Sequence, residues 1–243
     1  MRIDLAPVAA AVVLLSSPPT AALEKRSVPF DDARLDSWST GSTCQVSYYN
    51  ICTGWLWCWY DLEEQERLGI VVDSCCGPAE AAVLCQSRHF LCSAPPAGYG
   101  YTGTIGVHNV DPNDCPVEPA MYSQPYLPTD ITNGFAVVNW SCVPVPSRFA
   151  IIITMINPFG GFPTTIATDH PAEGPTGPQA CGLCYPSNRT IHSFRFGRSS
   201  TPLCPGIKFN DGVCDAELAW DVDFACSVSV EESSWGKIKG LYR

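Results

Sequence analysis

The feature that most constrains the fold is an apolar stretch at residues 134–157, which reads GFAVVNWSCVPVPSRFAIIITMIN. Its two halves are rich in β-branched and aromatic residues, which suit a pleated, buried surface. Side chains of a strand alternate between its two faces. In the second half both faces are apolar: one carries Phe149, Ile151, Ile153 and Met155, and the other carries Ala150, Ile152, Thr154 and Ile156. Such a strand needs cover on both sides.

We predict two central strands, at residues 135–142 and 149–156, that pair as a hairpin. The turn is expected at Pro144 and Pro146, because proline cannot donate a hydrogen bond to a sheet. Residues 111–130 are expected to be mostly loop, and residues 79–86 fit either a strand or a short helix. About nine to eleven short strands at this spacing predict an all-β fold, an antiparallel β-sandwich that is jelly-roll-like.

The N-terminus predicts export. Arg2 precedes an apolar run at residues 5–15, and small residues at 20–22 offer a cleavage site after Ala22. Lys25-Arg26 is either a dibasic processing point or two solvated charges. No run is long enough to predict a transmembrane segment. We therefore expect a signal peptide at residues 1–22 and a protein that is secreted, extracellular or at the cell surface.

The cysteine content agrees with export, because disulfides persist in oxidising compartments. The 14 cysteines predict a disulfide-rich chain with up to seven bridges. Their spacing does not fix the pairing, but their density predicts at least one bridge within residues 44–92 and one within 181–226. The candidates are Cys44, Cys52, Cys58, Cys75, Cys76, Cys85, Cys92, Cys115, Cys142, Cys181, Cys184, Cys204, Cys214 and Cys226.

Four segments are predicted. After the signal peptide, residues 23–43 form a loose N-terminal arm, and residues 44–230 form the β-sandwich. An alternative makes residues 169–230 a small cysteine-stapled subdomain. Residues 231–243 read EESSWGKIKGLYR and form a basic amphipathic tag or the last packed turn.

The ending from Trp235 to Arg243, WGKIKGLYR, resembles the terminal tag of uncharacterised exported proteins of Gram-negative bacteria. Residues 99–103 (YGYTG) and the stretch from Asp169 to Pro186 are also similar to cysteine-rich members of that set. The resemblance implies a secreted β domain and a sorting or anchoring role for the tail. It implies no catalytic residues.

Composition and motifs exclude several classes. The net charge of −10 excludes a nucleic-acid partner, because phosphate binding needs a basic surface. The sequence contains no G-x-S-x-G elbow and no H-E-x-x-H metal motif. Cys181 and Cys184 have zinc-ligand spacing, but a disulfide is the simpler interpretation in an exported chain.

Two binding sites are candidates. Calcium prefers six to eight oxygen ligands on a bent loop, and such oxygens gather at Asn210, Asp211, Asp215, Asp221 and Asp223. The alternative is a turn that hydrogen-bonds its own backbone. A glycan could stack on exposed aromatic rings; buried, the same rings would be core. The rings concerned are Trp55, Trp57, Trp59, Tyr99 and Tyr101.

Asn139-Trp140-Ser141 and Asn188-Arg189-Thr190 match the glycosylation sequon, which matters only in a eukaryotic secretory pathway. With no catalytic motif, we predict a secreted, non-catalytic, structural or adhesive protein displayed at or released from the cell surface. Its partner would be an extracellular glycan or a cell-surface protein. One alternative is a carbohydrate-binding module assisted by calcium, and a second is a secreted hydrolase with dispersed acids.

Overall fold

A computed structural model of the chain describes residues 25–29, 44–49, 54–59, 62–78, 80–91, 101–127, 131–132, 134–158, 166–169, 192–198, 204, 206–208 and 216–228. The predicted signal peptide and the C-terminal tag lie outside these residues. The strands are β1 (Lys25–Pro29), β2 (Cys44–Ser47), β3 (Trp55–Trp59), β4 (Arg67–Asp73), β5 (Glu80–Phe90), β6 (Tyr101–Asn109), β7 (Tyr122–Tyr126), β8 (Ile131–Thr132), β9 (Phe135–Val145), β10 (Arg148–Pro158), β11 (Ile166–Asp169), β12 (Ser193–Phe196), β13 (Ile207–Lys208) and β14 (Trp220–Val228).

The strand order is that of a jelly roll. Eight strands form two sheets in the orders β2-β14-β5-β9 and β4-β10-β6-β7. Their antiparallel partners are nested along the chain: β2 with β14, β4 with β10, β5 with β9 and β6 with β7. This nesting arises when one long antiparallel hairpin is wrapped into a double sheet. The predicted all-β antiparallel fold is therefore confirmed.

Further strands extend this framework. β8 lies beside β9 and completes a five-stranded sheet, whereas β12 and β13 lie beside β4 and complete a six-stranded sheet. A separate three-stranded sheet has the order β1-β3-β11. The stapled subdomain proposed for residues 169–230 is not formed in the described part of the chain, because β12 pairs with β4 and β14 pairs with β2 and β5.

The predicted central hairpin is wrong, although both of its strands exist. β9 pairs with β5 in the five-stranded sheet, and β10 pairs with β4 and β6 in the six-stranded sheet. Only Pro146 and Ser147 connect them. A two-residue hairpin turn needs positive φ at its first central residue, and the ring of Pro146 fixes φ near −65°. The chain therefore crosses from one sheet to the other at this point.

The apolar faces of β10 are covered on both sides, as predicted. Phe149, Ile151, Ile153 and Met155 lie in the main core between the two large sheets, where Phe149 meets Phe224 of β14 edge-on with ring centroids 5.9 Å apart. On the opposite face Ala150 and Ile152 belong to a second apolar cluster with residues of β4 and β12. Ile156, near the end of the strand, is 48% exposed.

Two segments expected to be irregular contain strands. β7 lies within the predicted loop at residues 111–130 and includes Pro125. It is an edge strand, where a proline costs no ladder hydrogen bond on its free side. β1 lies within the predicted loose arm and pairs along its length with β3. The ambiguous segment at 79–86 is part of the long strand β5.

Four disulfides join described residues: Cys44–Cys75, Cys76–Cys226, Cys85–Cys142 and Cys115–Cys204. The first confirms the bridge predicted within residues 44–92. Cys75 and Cys76 follow β4 of the six-stranded sheet, and their partners lie in β2 and β14 of the five-stranded sheet. These two bridges therefore join the two layers of the sandwich at one end.

Candidate functional site

The outer face of the five-stranded sheet carries buried charges. Along β14 (WDVDFACSV) alternation sends Asp221 and Asp223 to the face opposite the main core. The register then places Asp221 opposite Arg88 of β5. All three charged residues are buried, with exposed fractions of 1% for Asp221, 2% for Asp223 and 7% for Arg88. We call Tyr49, Arg88, Asp221 and Asp223 the buried charge cluster.

Asp221 is the centre of this cluster. The Tyr49 hydroxyl donates a hydrogen bond to Asp221 Oδ1 at 3.1 Å, and Arg88 Nη2 lies 3.9 Å from Asp221 Oδ2. The Arg88 guanidinium also lies over the ring of Phe135, 5.8 Å from its centroid. Burial raises the pKa of Asp221 to about 7, against the opposing effects of Arg88 and Tyr49. Burial lowers the pKa of Arg88, but a guanidinium keeps its proton in proteins.

The buried charge cluster contains two of the five residues of the calcium hypothesis. Asp221 and Asp223 share a strand face, as predicted, but the cation beside Asp221 is the guanidinium of Arg88. Calcium needs six to eight oxygen ligands, and both carboxylate oxygens of Asp221 already face Tyr49 or Arg88. Asp221 is the counter-ion of Arg88, and the charge of Asp223 also favours the ionised guanidinium. The other three predicted ligands, Asn210, Asp211 and Asp215, lie outside the described residues.

Two buried groups give the protein opposite pH dependences. The folded-state pKa of Asp221, about 7, lies above its ordinary value of 3.8. Between these values the folded state binds a proton that the unfolded state does not, so this group adds stability as the pH falls. His89 is 0% exposed, and burial lowers its pKa from 6.5 to about 3. It therefore removes stability as the pH falls through that window.

We expect Asp221→Asn to remove the first dependence and His89→Gln the second. As the pH falls from about 7 to about 4, the wild type should gain stability relative to Asp221→Asn and lose stability relative to His89→Gln. Urea unfolding across this pH range measures both differences. Parallel profiles for the wild type and Asp221→Asn would show that Asp221 titrates alike in the folded and unfolded states.

A second polar network connects all three sheets. Ser193 Oγ donates to Glu217 Oε2 at 2.6 Å and accepts from the backbone N–H of Leu218 at 2.8 Å. Glu217 Oε1 accepts from the backbone N–H of His192 at 3.0 Å, and Asp169 Oδ1 accepts from that of Glu217 at 2.7 Å. Ser193, Glu217 and Asp169 are each at most 2% exposed. These bonds tie β11 and β12 to the start of β14.

This network has the residue types of a hydrolase but not the arrangement. The imidazole of His192 has other partners: its Nδ1 lies 3.2 Å from the carbonyl oxygen of Val71, and its ring stacks on Tyr48. Nucleophilic hydrolysis needs a base within hydrogen-bond reach of the hydroxyl. Ser193 instead donates to the Glu217 carboxylate, which also accepts a hydrogen bond from the backbone N–H of His192. The network is therefore suited to joining strands.

The glycan-stacking hypothesis required exposed rings, and the structure buries two of them. Trp57 is 5% exposed and Trp59 is 7% exposed. Their rings meet edge-on at 6.0 Å, and Trp59 Nε1 donates to Thr168 Oγ1 at 2.9 Å. Trp55 is half-buried. Tyr99 and the side chain of Tyr101 lie outside the described part. Trp57 and Trp59 are thus core residues, the alternative left open by the sequence.

Among the described residues, the one cluster of metal-type ligands is Cys44, Cys76 and Cys226. All three are disulfide-bonded, and a metal site needs thiolates. Cys58 is also disulfide-bonded. Cys181 and Cys184, the pair with zinc-ligand spacing, lie outside the described residues, as do Cys52, Cys92 and Cys214.

Comparisons of the chain with protein-family models, with curated proteins and with solved structures found no match. Over the residues that the structure describes, no helix is long and apolar enough to cross a membrane. Function must therefore be inferred from the residues and their geometry.

Proposed function

We propose that this chain is an extracellular, non-catalytic β-sandwich protein with a structural or adhesive role, displayed at or released from the cell surface. The observation that carries the proposal is the placement of the disulfides. Cys44–Cys75 and Cys76–Cys226 join the two layers of the sandwich, and Cys115–Cys204 crosses the outer side of the six-stranded sheet. Such cross-links persist in oxidising compartments and are rare in the cytosol.

The outer side of the six-stranded sheet shows how one cross-link supports the scaffold. Val71, Ala150 and Ile152 form an apolar face there with two phenylalanines of β12. Cys204 packs on this face, and its bridge to Cys115 fastens Cys204 to the loop after β6. The bridge thereby keeps a β-rich apolar surface out of water, where it would otherwise be prone to aggregation.

The non-catalytic part of the proposal is supported by the buried acids. Asp169 and Glu217 accept hydrogen bonds from backbone N–H groups, and Asp221 accepts one from Tyr49. Catalytic carboxylates must reach a substrate, whereas these three are at most 2% exposed. They are used inside the scaffold. Jelly rolls host many functions, so the fold by itself favours none.

The test is to express the full chain with its native leader, fractionate the culture and measure the intact non-reduced mass. We expect protein in the medium or on the cell surface, with a mass lowered by two hydrogen atoms for each bridge. A cytosolic protein with free thiols would overturn the extracellular assignment. Turnover of an ester or glycoside panel that disappears in Glu217→Gln or Asp221→Asn would overturn the non-catalytic one.

A further inference from the structure

We infer that Asn139 is an N-glycosylation site. The inference rests on the proposed extracellular location and, in addition, on passage through a eukaryotic secretory pathway, in which the transfer occurs. Residues 139–141 read Asn-Trp-Ser and match the acceptor motif N-x-[ST] with x other than proline. A sequon inside a buried strand would have no room for a sugar. The structure removes that objection, because it places this sequon at an exposed irregularity of β9.

The irregularity is a bulge in the pairing of β9 with β5. Residues 140–142 of β9 lie opposite the single residue Cys85 of β5. Ser141 and Cys142 have left-handed backbone conformations, with φ of 56° and 54°. A bulge leaves its extra residues out of the ladder and bends the strand. The disulfide Cys85–Cys142 holds this bulge in place.

The three residues of the sequon differ in exposure: the middle one is buried, and the two outer ones are exposed. Trp140 points inward, is 4% exposed, and its Nε1 donates to Ser87 Oγ at 2.9 Å. Asn139 and Ser141 are both exposed. The backbone N–H of Ser141 donates to Asn139 Oδ1 at 2.8 Å, which is an Asx-type turn. The turn uses Oδ1 and leaves Nδ2, the atom that carries a glycan, outside it.

The chemistry of the transfer requires a lipid-linked oligosaccharide diphosphate and a transferase of the secretory pathway. Nδ2 of Asn139 forms a bond to the anomeric carbon of the first sugar. The bond from that carbon to the diphosphate oxygen breaks, and the lipid diphosphate leaves with the electron pair. One amide proton passes to a base of the transferase. No oxidant or reductant is involved.

A glycan here would stand at a sheet edge. One side of β9 pairs with β5, whereas on its other side β8 reaches only Phe135 and Ala136. Over residues 139–145 the described neighbours on that side are two side chains. Gln124 donates a hydrogen bond to the carbonyl oxygen of Asn139, and Tyr122 donates one to the carbonyl oxygen of Pro144. Exposed edges invite pairing with other chains. A bulky sugar on Asn139 would block that pairing.

The test uses the full chain secreted from a eukaryotic cell with an intact glycosylation pathway. Digestion with peptide-N-glycosidase in heavy-oxygen water converts a linked asparagine to labelled aspartate, which peptide mass spectrometry locates. We expect label at Asn139. Asn139→Gln and Ser141→Ala should both lose this label. Two controls should keep the label at Asn139: Ser141→Thr, which retains the acceptor motif, and Asn188→Gln, which removes the other sequon.

The outcomes separate this inference from the proposed function. Secreted protein whose Asn139 peptide is unlabelled overturns the glycosylation site and leaves the extracellular proposal standing. Retention of the wild-type chain in the cytosol overturns the proposed function itself. A glycan at Asn139 of the native protein would argue against the bacterial origin that the tail resemblance implies. Asn139→Gln changes an exposed side chain and its hydrogen bond from Ser141. Secretion of this variant in normal yield shows that its loss of label is not a folding defect.

Discussion

Replacing Arg88 by methionine is expected to lower the free energy of unfolding by about 3–5 kcal/mol, because removing one partner of a buried ion pair leaves an uncompensated charge. Methionine keeps an unbranched apolar stem like that of arginine, so the loss reports the charge more than the packing of the stem. Asp221 would then keep the hydrogen bond from Tyr49 but lose the neighbouring guanidinium. Urea unfolding at about pH 8, where Asp221 is ionised, gives the largest effect.

The matched control is the same substitution at an exposed arginine. Arg148 also pairs with two acids, Asp73 and Asp114, but its side chain is 39% exposed. Exposed ion pairs contribute about 0–1 kcal/mol, so Arg148→Met should cost little. Combining Arg88→Met with Asp221→Asn should recover part of the loss, because it removes the stranded charge. Equal losses for Arg88→Met and Arg148→Met would show that the cluster is solvated.

Local sequence patterns predicted most of the strands, because a strand face that is buried must carry apolar residues at every second position. The double-faced apolar run of β10 required burial on both faces. The structure packs one face against residues of β14 in the main core, and it buries Ala150 and Ile152 of the other face in a cluster with Phe194 and Phe196. The alternation in WDVDF likewise placed Asp221 and Asp223 on one face before any partner was known. Each of these inferences depends only on the period of a strand.

The pairing of strands could not be predicted in the same way. Two apolar strands separated by two residues favour a hairpin when they are read locally, and the decisive information is the fixed φ of Pro146. β7 was missed because the prolines of residues 111–130 suggest a loop, whereas Pro125 is tolerated at a sheet edge. Edge position is a property of the whole fold. A local pattern does not contain it.

The candidate site shows the same limit. Arg88 lies more than a hundred residues from Asp221, and only the jelly-roll register places it opposite that residue. The partners of Glu217 in the Ser193 network also come from separate segments. One signal was available in the sequence: a charged residue inside an apolar strand needs a counter-charge when it is buried. That signal predicts the existence of a partner without identifying it.

The second large effect is expected at the disulfide Cys76–Cys226. It joins the two layers and closes a loop with a sequence separation of 150, the longest among the four described bridges. A cross-link stabilises mainly by restricting the unfolded chain, and more so for longer loops. We expect the double variant Cys76→Ser/Cys226→Ser to lose about 2–5 kcal/mol, the usual cost of removing a native disulfide.

The control is Cys85→Ser/Cys142→Ser, which opens a separation of 57 between neighbouring strands and should cost less. Both cysteines must be replaced together. Cys226 Sγ lies 3.3 Å from Cys44 Sγ, so Cys76→Ser alone would place a free thiol beside the Cys44–Cys75 bridge. A thiolate attacks a neighbouring disulfide, and we expect that variant to form Cys44–Cys226 and release Cys75. Peptide mapping detects this exchange. A smaller loss of unfolding free energy for the Cys76/Cys226 double variant than for the control would contradict the role of the bridge in joining the layers.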